Sequence, residues 1–216
     1  KTLFASNERD AQVTAIDIPG RRVAFQVVVG VEPEGMATSP DGKWVVATSE
    51  TDNKLHWIDI ASGTMKDETE VGIRPRHAEF TADGRQLWAT AELGGTLHII
   101  DVATRRETAL VKFAVPDVPA DKILPVGVRF TPDGRTALVA LGRANHVAIM
   151  DVASRQVTAL VPVGQRVWHL AISADGRRAY AANGLSDTLS VIDIAAAMVT
   201  ATIPLASAPW GVAVGK

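Results

Sequence analysis

Apolar and polar residues alternate along most of the chain, in short runs separated by turn-forming pairs. WVVATSE, LWATA, LVALG and YAANG read as half-buried strands, as do KLHWIDI, TLHIID, HVAIMD and TLSVID. Between them lie Asp-Gly pairs at 41–42, 83–84, 133–134 and 175–176, where Asp bonds the local backbone and Gly accepts a positive φ. A second marker is the aspartate that ends each third strand: Asp17, Asp59, Asp101, Asp151 and Asp193, at steps of 42, 42, 50 and 42. Short strands repeating at this period predict an all-β chain, a β-propeller of five four-stranded blades of about 42 residues each.

One repeat shows the plan. GMATSP is strand A, WVVATSE strand B, KLHWIDI strand C and MKDETEV a more polar outer strand D. The strand-B slot held by Phe4, Val46, Trp88, Leu138 and Tyr180 reads as packing between blades. His56 and His98, which share a strand-C slot with Thr14, Ala148 and Ser190, also read as packing residues. Five copies of one aspartate suit a turn that every blade needs, whereas a catalytic acid is needed once.

The expected blades are 31–72, 73–115, 123–164 and 165–206, with a fifth assembled from 1–30 and 207–216. In that arrangement the terminal PWGVAVGK is a strand A that closes a five-blade ring. The other architecture is five blades of a larger propeller. An eight-residue insertion falls in FAVPDVPADKILPVG, where Pro116, Pro119 and Pro125 stiffen a loop suited to docking, to covering a site, or to neither.

Composition narrows the chemistry. There is no cysteine, which excludes disulfides, thiolate chemistry and C-x-x-C-H haem attachment. A net charge of −2 gives no reason to expect nucleic-acid binding, and no apolar run is long enough for a membrane helix. No nucleophile–base motif stands out, so no catalytic residue, resident metal or cofactor is expected.

The D–A crossovers GVEPEG, GIRPRH, ILPVG, GQRVWH and ASAPWG are where the copies differ most, and blade-specific function is sought there. One slot carries Glu34, Arg76, Val126, Trp168 and Trp210; the next carries Gly35, His77, Gly127, His169 and Gly211. Arg74, Arg76 and Arg166 with Trp168 and Trp210 form an expected cationic and aromatic rim, suited to a small anionic ligand or a protein. Glu79 and Arg129 occupy one strand-A slot in consecutive blades. They read either as a charge pair in the channel wall or, with His77 and His169, as a polar ligand site.

YAANGLSDTLSVIDIA, SPDGKWVV and VGVEPEGMATSPDG resemble the YVTN-repeat propellers. The non-repetitive VEPEGM, RPRHAEF, ILPVGVRF, VALGRANHVAIMD, VGQRVWHLA and SAPWGVAV are most similar to the propeller proteins associated with pyrroloquinoline-quinone-dependent catabolism. That resemblance implies a periplasmic protein and the last five blades of a seven-bladed propeller. It also implies a quinoprotein dehydrogenase or its cytochrome as partner. Two functions follow: a non-catalytic binding or scaffold module, or a hydrolase of lactonase type using His77, Glu79, Arg129 and His169.

Overall fold

A computed structural model describes residues 1–215 and shows an all-β, propeller-type chain of antiparallel meanders. The first sheet has three strands, β1 (Thr2–Asn7), β2 (Gln12–Asp17) and β3 (Arg22–Val28). Four sheets of four strands follow. They are β4 (Pro33–Thr38), β5 (Trp44–Ser49), β6 (Lys54–Asp59) and β7 (Thr64–Glu70); then β8 (Pro75–Phe80), β9 (Gln86–Ala91), β10 (Thr96–Asp101) and β11 (Arg106–Lys112). The last two are β12 (Pro125–Phe130), β13 (Thr136–Leu141), β14 (His146–Asp151) and β15 (Gln156–Pro162), and β16 (Val167–Ile172), β17 (Arg178–Asn183), β18 (Thr188–Asp193) and β19 (Met198–Pro204). Strands pair in chain order, as the two-residue side-chain period and tight turns dictate.

The chain forms two compact units, residues 1–110 and the remainder from Val111. The first buries Leu55, Trp57, Phe80, Leu87 and Ile100 in one cluster and Val13, Val45 and Ile58 in another. The second buries Leu138, Val147, Ile149, Val167, Leu170 and Ile192. Val46, Trp88 and Leu138, in the slot read as packing, are completely buried.

Both repeated aspartates are turn devices. Asp133 accepts the Thr131 hydroxyl at 2.6 Å and the Arg135 N–H at 3.1 Å, while Gly134 takes φ +68°. Asp59 accepts the N–H and hydroxyl of Ser62, both at 2.7 Å, and Asp101 and Asp151 bind Thr104 and Ser154 in the same way. These hydrogen bonds hold Asp133, Asp59, Asp101 and Asp151 below the usual carboxylate range.

One stretch departs from the sequence-based expectation. Residues 205–215 form no strand, and the first sheet keeps three; Lys216 lies outside the described residues. Within its own unit every sheet already has four strands, so this segment has no vacant place there. The insertion is anchored at both ends, with Pro116, Asp117 and residues 119–122 exposed between. Phe113, Val115, Ile123 and Leu124 are buried, and a short 3-10 turn spans Ala120–Lys122.

Candidate functional site

The crossovers are built by one repeated backbone device. A residue just before the first strand of each four-stranded sheet has a positive φ: Glu32 (54°), Arg74 (61°), Leu124 (42°) and Arg166 (54°). Such a conformation is costly for non-glycine residues and needs support. Support comes from the B–C turns. The Arg74 N–H donates to Asn53 Oδ1 and the Arg166 N–H to Asn145 Oδ1, both at 2.9 Å. The Ala208 N–H donates to Asp187 Oδ1 at 2.7 Å, with Ala208 at φ +52°.

The first strand of each four-stranded sheet then breaks register after its opening residue, between Pro33 and Met36, Pro75 and His77, Pro125 and Val128, and Val167 and Leu170. A bulge re-aims the side chain within it. Glu34, Arg76, Val126 and Trp168 lie at these irregularities, so the slot that varies most between blades is also the slot the backbone turns out of the regular pleat.

In the first unit this geometry assembles a buried ionic network. Arg76 meets Glu34 at 2.7 Å, Glu50 at 2.5 Å and Glu92 at 3.7 Å. Arg74 meets Glu50 at 2.6 Å and Glu92 at 3.4 Å. The side chains of Arg76, Glu50 and Glu92 are only 8%, 5% and 5% exposed. Burial pushes the Glu50 carboxyl upward while Arg76 and Arg74 pull it back; burial likewise lowers Arg76, opposed by Glu50 and Glu92. Glu8 adds to the negative field on Arg76. Three glutamates thus surround two arginines, and the rim expected to be cationic is acidic on balance here.

Glu50 and Glu92 are not among the residues the crossovers point to, although a signal for them exists. Glu8, Glu50 and Glu92 recur at the 42-residue step, just after β1, β5 and β9, and Gly142 and Gly184 stand there in the later blades. Those glycines make room. A Cβ on Gly142 would lie 2.7 Å from Arg166 Nη1, and one on Gly184 2.5 Å from Trp168 Nε1. The Arg166 guanidinium stacks on the Trp168 ring at 3.9 Å, and the His169 and Trp210 rings are 4.4 Å apart. The second unit therefore replaces the ionic network with a cation–aromatic one.

His77 Nε2 lies 3.6 Å from Glu79 Oε2, both on β8, with His77 buried and Glu79 partly open. Arg129, in the other unit, donates to the Val128 carbonyl at 3.2 Å. Among the described residues no group of three or more His, Asp or Glu is arranged to hold a metal ion. His56 and His98 do more than fill space. Each accepts a crossover N–H through Nε2, from Gly30 at 3.2 Å and from Gly72 at 2.9 Å, and turns Nδ1 toward Glu68 or Glu107.

Residues 36–202 match the family model described as lactonase, 7-bladed beta-propeller. None of the curated proteins matches the chain. Among solved structures, the chain is similar to Kuenenia stuttgartiensis hydrazine synthase, with a TM-score of 0.72, 16% identity, and coverage of 97% of this chain and 85% of that one. A functionally unknown protein from Desulfotomaculum acetoxidans gives a TM-score of 0.84 at 14% identity, covering 100% and 69%. The dihydro-heme d1 dehydrogenase NirN, in complex with DHE, gives 0.78 at 20% identity, covering 95% and 44%. At these identities the likeness to solved structures carries the fold alone.

Proposed function

Since the chain belongs to the seven-bladed lactonase β-propeller family, we propose that it serves that fold as a non-catalytic binding module, its crossover and B–C turn face taking a protein partner. The carrying observation is how the charged groups on that face are used. Arg74, Arg76, Glu50 and Glu92 are committed to one another, which suits a rigid platform better than proton transfer. Exposed apolar side chains stand at the crossovers and B–C turns of the first unit: Val31, Ile73 and Leu93. The resemblance to propellers of pyrroloquinoline-quinone-dependent catabolism supports a periplasmic address and a quinoprotein dehydrogenase or its cytochrome as partner. The test is capture from periplasmic extract of alcohol-grown cells. The parent should retain such a protein, and a folded Ile73→Ser, Leu93→Ser variant should lose it. Equal capture by both, or by neither, argues against this face.

A second reading has its own observation. His77 and Glu79 share one strand, 3.6 Å apart, and the family name denotes lactone hydrolysis. In that reading Glu79 orients His77 as the base that activates water on a lactone carbonyl. Proton release from simple γ- and δ-lactones, abolished by Glu79→Gln and His77→Ala in folded protein, would establish it. No release above background would retire it.

A further inference from the structure

The crossover face of the first unit combines exposed apolar side chains with surplus negative charge. Val31, Ile73 and Leu93 are 49%, 57% and 57% exposed. Backbone and turn contacts join them into one surface. The Ile73 carbonyl accepts the Gly94 N–H at 3.1 Å, next to Leu93, and the Val31 N–H donates to Asp52 at 2.9 Å. Between them Arg74 bridges Glu50 and Glu92.

The charge here is lopsided. The three glutamates of the network exceed its two arginines, and the exposed Glu8, Asp10, Glu32 and Asp52 are opposed by Arg9 and by Lys54, which is itself paired with Glu68 at 2.5 Å. Residues 1–110 hold 17 Asp and Glu against 12 Lys and Arg, whereas residues 111–216 hold 7 against 10. The excess is concentrated at this end of the blades. At the other end, Lys43, Arg85 and Arg105 line one groove, and its aspartates Asp41 and Asp101 are bound within their own turns.

An occupant must cover the three apolar side chains without stripping water from carboxylates it cannot pair. An acidic or purely apolar surface fails that condition; lysines and arginines around an apolar tip meet it. We propose that this face docks a protein partner presenting a basic surface segment with an apolar tip. The proposal rests on the binding-module reading and adds the chemistry of the partner.

Two synthetic amphipathic peptides of equal length and leucine content, one lysine–leucine and one glutamate–leucine, serve as probes. Binding is measured by calorimetry at about 25 and about 300 mM NaCl and mapped by amide exchange. The lysine–leucine peptide should bind, protect residues around Ile73 and Leu93, and weaken about tenfold at the higher salt. A similar loss, roughly tenfold, is expected for Ile73→Ser, Leu93→Ser and for Glu8→Gln, Asp10→Asn, Glu32→Gln. Leu3→Ser, Ile18→Ser, which removes equally exposed apolar groups elsewhere, should change nothing. Unchanged affinity in the Ile73/Leu93 variant, or protection mapped elsewhere, overturns the proposal. Preference of this face for the glutamate–leucine peptide overturns the partner's charge and leaves the docking face standing. Binding of neither peptide, together with no capture in the extract experiment, removes both readings.

Discussion

Gly35 and His77 are packed backbone to backbone: a Cβ on Gly35 would lie 2.7 Å from the His77 Cα and 2.4 Å from the Arg76 carbonyl oxygen. Gly127 and His169 repeat the arrangement, with 3.0 Å to the His169 Cα and 3.0 Å to the Trp168 carbonyl. The alternation Gly35, His77, Gly127, His169 in one slot is therefore also a packing rule. Within each unit, the glycine of one first strand lets the next first strand approach.

Gly35→Ala should consequently overpack the β4–β8 contact and cost about 1–3 kcal/mol. Gly211 holds the same slot, but a Cβ there would meet nothing within 4 Å, so Gly211→Ala should stay within about 0.5 kcal/mol of the parent. Urea denaturation of the two variants decides the point. Equal stabilities would mean that β8 shifts aside at little cost.

The Asp-Gly turns give a test of backbone conformation. Gly134 has φ +68°, which a side chain tolerates poorly, and its N–H donates to the Thr131 carbonyl at 2.8 Å. Gly134→Ala should destabilise by roughly 1 kcal/mol or more. A thermal melt superimposable on the parent's would contradict the strained-turn account.

What the sequence discloses depends on repetition. Asp59, Asp101, Asp151 and the Asp-Gly pairs recur because every blade needs the same turn, so period and strand order can be read from them. The site lies where the copies differ, and there only part of it is legible. Glu34, Arg74 and Arg76 stand out in the crossovers, and the structure brings them together. Their partners Glu50 and Glu92 do not, because they follow the second strand, far along the chain from the arginines; only the fold brings them near. The sign of the surface changes with them. Arginines counted along a crossover suggest a cationic rim, but a buried arginine takes the carboxylates it needs, and here three gather around two.

Arg76 is accordingly a keystone of the first unit rather than an available cation. Removing it takes from the buried Glu50 and Glu92 a cation that both of them face. Arg76→Met should cost about 3–5 kcal/mol, the usual penalty for breaking a buried pair from one side. Adding Glu50→Gln should restore part of that loss, because the uncompensated carboxylate is then gone. If the double variant is no more stable than the single one, the penalty comes from lost packing of the arginine side chain and not from charge.

Acid should loosen the crossovers through His56. Its Nε2 accepts the Gly30 N–H, which fixes a neutral ring with its proton on Nδ1, facing Met65 Sδ at 3.3 Å and Glu68 at 3.5 Å. Burial lowers its pKa from 6.5; Glu68 and Asp52 oppose the shift and Lys54 adds to it. The unfolded chain therefore takes up a proton at a pH where the folded chain does not. The resulting stability is complete above pH 6.5 and declines as pH falls below that value toward the folded pKa. Depressed turn carboxylates such as Asp59 and Asp133 act in a separate window, contributing above 3.8 and losing their effect at lower pH. His56→Gln should lower Tm at neutral pH, because the Gly30 N–H loses its acceptor at a cost of about 1 kcal/mol. The same variant should flatten the fall in Tm between about pH 7 and about pH 5. Parallel Tm profiles for parent and variant across that interval would show that the His56 ring keeps its charge state constant and that the acid sensitivity has another source.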